Sequence, residues 1–187
     1  MPDKVFSVGE VDAVNTFNGG LVLTIPVSPQ IPIREGWSYG ATLYYNSSLW
    51  DFRAISSGTH VLSSARLSWK FNAGVGYRVA FGDLLGISDP RNQTDSYVFV
   101  DPDGAEHRFH RKLHETDPED AGDGPKLAGQ KVLYTRDGSY LRLVKDAATG
   151  TWIVEHPDGM RHVFGSNFAL LRIEDRFNNR LLIDQTP

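Results

Sequence analysis

The stretch HRFHRKLHE, residues 107–115, brings three imidazoles and a carboxylate together: His107, His110, His114 and Glu115. On a helix, spacings of three and four would put all three rings on one face, as a metal site requires. On a strand, His107 and Phe109 point one way while Arg108 and His110 point the other, and the ligand set falls apart. Another histidine, His162, sits in a near copy of this passage. YVFVDPDGAEHRFH at 97–110 and WIVEHPDGMRHVFG at 152–165 both run from an aromatic through apolar residues into Pro-Asp-Gly, then to His-x-Phe. No GxSxG or HExxH motif gives either histidine a catalytic partner, so the expectation is a protein without enzymatic activity, cofactor or metal.

Two other stretches have chemical potential. Residues 115–126, ETDPEDAGDGPK, collect five carboxylates, the hard oxygen donors that calcium takes, but in no DxDxDG order. Such a segment buries too little apolar surface to offset its ordering entropy and reads as a solvated loop. Trp50 and Phe52 lie in NSSLWDFRAISSG, whose polar neighbours imply a loop or edge, which makes Trp50 the candidate for stacking on a sugar face. Asn46-Ser47-Ser48 and Asn92-Gln93-Thr94 match the glycosylation acceptor pattern, a short and common one.

The elements that position these residues are strands. Asp-Gly between runs of Val, Ile, Tyr and Phe signals a hairpin whose tight turn needs positive φ, which Gly accepts and Asp tolerates. LVLTIPV at 21–27, SARLSWKF at 64–71 and GVGYRVAFG at 74–82 alternate, placing Leu67, Trp69 and Phe71, then Val75, Tyr77, Val79 and Phe81, on buried faces. Short helical pieces are expected only near Pro125–Gln130 and Gly165–Ala169. Turns at Gly138, Gly159 and Asn179 recur about every twenty residues, one hairpin each, and the longer gap back to Gly104 holds the acidic loop. A lone hairpin is marginal in water, so repeated hairpins must pair into a continuous sheet. The class is all-β, with Gly104, Gly138, Gly159, Asn178 and Asn179 at turns. Tyr97, Phe99, Phe109, Leu141, Leu143, Trp152, Val154, Phe164, Leu171 and Ile173 are expected in the core.

Composition narrows the partners. The chain has 187 residues, a net charge of −4 and no Lys/Arg run, so nucleic acid is not an expected partner. It has no run of 18 apolar residues for a membrane span, no basic-plus-apolar leader and no cysteine for disulfide or thiolate chemistry.

In order, VNTFNGGLVLTIPV, SYGATLYYNSS, NAGVGYRVAFGDLL, SYVFVDPDGAEHRF, VLYTRDGSYLRL, WIVEHPDGMRHVF and LLRIEDRFNNRLLID cover nearly all of residues 11–184. This ordered set resembles the entry region of RHS/YD-repeat proteins, the family of bacterial polymorphic toxins, toxin-complex shells and, more distantly, teneurins. Asn178-Asn179 stands where the family commonly has Gly-Asn. The resemblance implies an N-terminal β-region over 1–95 and hairpin repeats over 96–187, interrupted by the acidic loop at about 115–126. It further implies antiparallel hairpins forming a curved, shell-like sheet, the N-terminal part of a longer protein that encapsulates a C-terminal toxin or cargo. The implied partners are the rest of the shell, that toxin domain and secretion machinery. Synthesis would be in a bacterial cytoplasm, with export as part of the larger protein. Carbohydrate or cell-surface binding is the alternative the family suggests.

Overall fold

The computed structural model describes residues 5–7, 12–15, 20–34, 37–57, 60–92, 94–114 and 131–184. Among them there is no helix, and the strands pair antiparallel throughout, so the protein is all-β. The acidic stretch 115–126, Glu115 and the Pro125–Gln130 piece lie outside the described residues. The chain divides into two compact units, one of Met1–Ala80 with Pro102–Gly104, the other of Phe81–Asp101 with Ala105–Pro187.

The first unit contains β1 (Val5–Ser7), β2 (Asp12–Asn15), β3 (Gly20–Pro26), β4 (Ile31–Arg34), β5 (Trp37–Tyr39), β6 (Thr42–Asn46), β7 (Trp50–Ser57), β8 (His60–Leu67) and β9 (Tyr77–Arg78). Five of them form a sheet in the order β1-β2-β3-β6-β9, while β4-β5 and β7-β8 are separate hairpins. Here the alternation read from the sequence fails twice. β8 stops at Leu67, which is 45% exposed, and Ser68 is the buried neighbour, so 65–71 is not one strand with an apolar inner face. In 74–82 it is Gly76, Arg78 and Gly82 that are buried, while Val75 and Val79 face out. The cause is backbone geometry: Gly74 and Gly76 take positive φ on either side of Val75, which breaks the period-two phase just before β9 begins.

The second unit is one curled sheet of nine strands in strict chain order. They are β10 (Asp83–Leu85), β11 (Val98–Val100), β12 (Glu106–His110), β13 (Lys131–Thr135), β14 (Arg142–Lys145), β15 (Trp152–Glu155), β16 (Arg161–Phe164), β17 (Leu170–Glu174) and β18 (Arg180–Leu182). Register places Leu133, Leu143, Val154, His162, Ile173 and Leu181 in one row across six strands, and the first five are buried. Phe99, Phe109 and Phe164 are fully enclosed on the same side, each contributing about 1.5–3 kcal/mol through the apolar area removed from water.

Of the expected core, Leu171 is the exception at 41% exposed, and Leu170 is buried in its stead. A register shift at Val163/Phe164 pairs Phe164 with Leu170, and Leu171 is the extra residue of a bulge. Tyr97 is half-buried, its ring 4.6 Å from that of Trp152.

The hairpin turns place positive φ on the expected glycines but not on the aspartate before them. His156 N–H donates to the Met160 carbonyl and Gly159 N–H to the His156 carbonyl, which closes a three-residue loop with a single positive-φ residue, Gly159 at 89°. Asp158 keeps negative φ. Gly104 (93°) ends the matching loop after Asp101, and Asn178 (64°) the one after Asp175, where Asn179 binds the Asp175 carboxylate. Gly138 stands at 88° in the turn between β13 and β14. Gly165–Ala169, expected as a helical piece, is another such loop, with Phe168 at 65°. Its ring lies 5.8 Å from that of Trp152, and this aromatic contact holds a side chain at an angle that usually calls for Gly or Asn.

Candidate functional site

Three histidines of the second unit converge beside Phe99. His107 lies directly across from Phe99 in the sheet, their ring centroids 6.4 Å apart, and His156 and His162 approach the same ring at 5.7 and 5.3 Å. Gly82 makes room: a Cβ there would meet the Phe99 ring at 2.8 Å and His162 Cδ2 at 3.6 Å, and its φ of +106° is one that other residues rarely take.

His107 is held between two carboxylates. Its Nε2 is 2.9 Å from Asp101 Oδ2 and its Nδ1 is 2.8 Å from Asp137 Oδ2. The bond to Asp101, then that to Asp137, outweigh burial and raise its pKa to about 9, so at neutral pH the ring is a cation donating from both nitrogens. Burial pushes the Asp137 carboxyl up, but hydrogen bonds from Ser139 and the contact with His107 leave it below its ordinary value.

His162 has the opposite state. It is 5% exposed, and burial, followed by repulsion from His156, pushes its pKa down to about 4. The Phe81 carbonyl accepts a hydrogen bond from it, and its Nδ1 lies 3.0 Å from His156 Nε2. With both rings neutral, one of the two facing nitrogens carries the N–H and the other accepts. Burial lowers the pKa of His156 as well. Both ring nitrogens of His107 and Nδ1 of His162 are therefore engaged within the protein. These two rings join turns and strands.

The proposed trio His107, His110 and His114 does not assemble. β12 is a strand, so His110 turns away from His107 into a cleft of about 270 Å³ with Asp95, Ser96, Tyr97 and Arg111, and His114 is exposed. Burial, then Arg136 and Arg108, lower the pKa of His110. Among the described residues no group of three or more His, Cys, Asp or Glu could hold a metal ion.

Of the remaining candidates, Trp50 is 54% exposed and Phe52 69%, and as alternate residues of β7 they share a face. Asp51, on the opposite face, enters a smaller cleft of about 80 Å³ with Tyr44, Asn46, Lys70, Phe71 and Arg78. Asn92 is a poor glycan acceptor, since its Nδ2 donates to the Gly86 and Ser96 carbonyls and its Oδ1 accepts from Thr94. Asn46 Oδ1 accepts from Ser48 N–H at 2.8 Å.

Sequence reasoning overlooked the partners of these histidines, although a signal existed. In the doubled passage the residue before Pro-Asp-Gly is Asp101 in one copy and His156 in the other, each six places before its histidine. It also overlooked Glu174, which is 4% exposed and contacts Arg161, Arg172 and Arg180.

Compared with family models, curated proteins and solved structures, the chain matches none of them. No helix among the described residues is long and apolar enough to cross a membrane.

Proposed function

We propose that this chain is a non-enzymatic wall segment of an RHS/YD-repeat shell, part of a β-cocoon that encloses a C-terminal toxin or other cargo. The observation that carries the reading is the nine-stranded sheet, in which each strand pairs with the next in the chain through repeated short hairpins and the whole curls. A sheet built this way adds strands without limit, and its curl is what a hollow wall requires. The histidines support the same reading, because their ring nitrogens bind other parts of the wall. On this view the protein is made in a bacterial cytoplasm and exported within a larger polypeptide, through secretion machinery that handles the whole shell.

Protease protection tests it. In the native polypeptide that carries this chain, a cargo segment should resist protease until the wall is unfolded, and negative-stain images should show a hollow particle. A fully accessible polypeptide without a cavity would remove the shell reading.

A second reading, a carbohydrate-binding module, is favoured by the exposed rings of Trp50 and Phe52 on one face of β7. Glycan-array signal that Trp50→Ala abolishes would support it, and silence across a broad array would count against it.

A further inference from the structure

Arg142, Glu155, Arg161, Glu174 and Arg180 form one row across β14 to β18, each directly opposite the next in register. The charges alternate along the row. Arg142 Nε is 2.5 Å from Glu155 Oε2, and Arg161 and Arg180 each approach Glu174 at 3.3 Å, with Arg172 at 3.0 Å. The pattern is written in the chain: arginine opens RLV, RHV and RLL at 142, 161 and 180, and glutamate closes IVE and RIE at 155 and 174, always 19 residues apart.

At β18 the row ends on a cation. Arg180 is 55% exposed along its side chain, and its one carboxylate neighbour in the row, Glu174, is shared with two other guanidiniums, which leaves excess positive charge. The backbone there is open as well. The Asn179 carbonyl accepts from Asp175 N–H and Ile183 N–H donates to the Leu171 carbonyl, so residues 179, 181 and 183 turn their backbone groups toward β17. By alternation Arg180 and Leu182 turn theirs to the other side, where among the described residues no strand pairs. Leu182 is 73% exposed.

We propose that this edge receives one further antiparallel strand whose residues read apolar, apolar, acidic, with its carboxylate opposite Arg180 and its middle residue on the inner face opposite Leu181. The inference deepens the wall reading, on which it rests for the source of that strand. Opposite charges facing across a strand pair are favourable and like charges unfavourable, so the row selects both the partner and its register.

The probe is the capped peptide GTWIVEHP, the sequence of β15 and its flanks, titrated onto the whole ¹⁵N-labelled chain. The amide signals of Arg180 and Leu182 should shift, and the same peptide carrying Glu155→Lys should bind at least fivefold more weakly. In an Arg180→Glu protein that preference should reverse. Leu182→Pro removes an outward N–H without breaking a bond to β17, and should abolish binding while leaving the melting temperature within a few degrees.

Equal affinity for both peptides, binding unchanged by Leu182→Pro, or no binding at all would overturn the proposal. So would a concentration-dependent mass from self-pairing that the peptide does not reverse. The two readings fail separately. Charge-selective binding by a chain whose native polypeptide encloses nothing keeps the edge and removes the shell, while protected cargo without charge-selective binding does the reverse.

Discussion

His107 and His162 occupy equivalent places in two hairpins, and each faces the residue six positions before it across its own turn: Asp101 at 2.9 Å, His156 at 3.0 Å. One ring is a cation and the other is neutral. The difference lies first in the deeper burial of His162, then in the facing side chain, together with Asp137 on the far side of His107.

That relationship is testable by exchange. His156→Asp places a carboxylate where Asp101 stands in the sister hairpin, and the pKa of His162 should rise from about 4 to above its ordinary 6.5. An imidazole NMR titration reads it directly, and a His162 pKa still near 4 would show that burial alone governs this ring.

Stability should depend on pH in both directions. The folded pKa of His107 is raised, so its contribution is fully present below about 6.5 and is lost as pH rises through about 9. The pKa of His162 is depressed, so burying it neutral carries no penalty above about 6.5. The penalty grows as pH falls from there toward about 4, because the unfolded chain gains a proton that the folded chain refuses. Asp101 and Asp158 soften this limb but do not cancel it. Melting temperature should therefore peak near neutrality. His107→Gln should flatten the alkaline limb and cost roughly 1–3 kcal/mol by leaving two carboxylates without their cation.

The turn glycines should separate by environment. A Cβ on Gly159 would lie 2.8 Å from Arg176 Cβ, whereas one on Gly138 meets nothing within 4 Å, and both residues have positive φ. Gly138→Val should cost about 1–2 kcal/mol in backbone strain alone, with Gly159→Val costing more. Equal losses in chemical denaturation would show that the crowding at Arg176 relaxes freely.

Leu170 and Leu171 offer a test of the bulge. Leu170→Ala should cost roughly 2–4 kcal/mol as a core truncation, and Leu171→Ala less than about 0.5 kcal/mol. Reversed magnitudes in denaturant melts would place the register shift elsewhere.

Much of this architecture was written in the residue pattern. Alternation in WIVE and the recurring positive-φ residues Gly104, Gly159 and Asn178 determine strand, turn and inner face locally, because side-chain phase along a strand has period two and few residues accept a left-handed backbone. The strand at 106–110 likewise decided against a histidine trio on one face.

Tertiary structure decided what period and spacing do not encode. The bulge at Phe164 exchanged Leu171 for Leu170, and positive φ at Gly74 and Gly76 broke the phase that should have buried Val75 and Val79. The charge of each histidine was decided the same way. A pKa depends on what lies within a few ångströms, and only the register of paired strands brings Asp137 to His107, the Phe81 carbonyl to His162, and three arginines to Glu174.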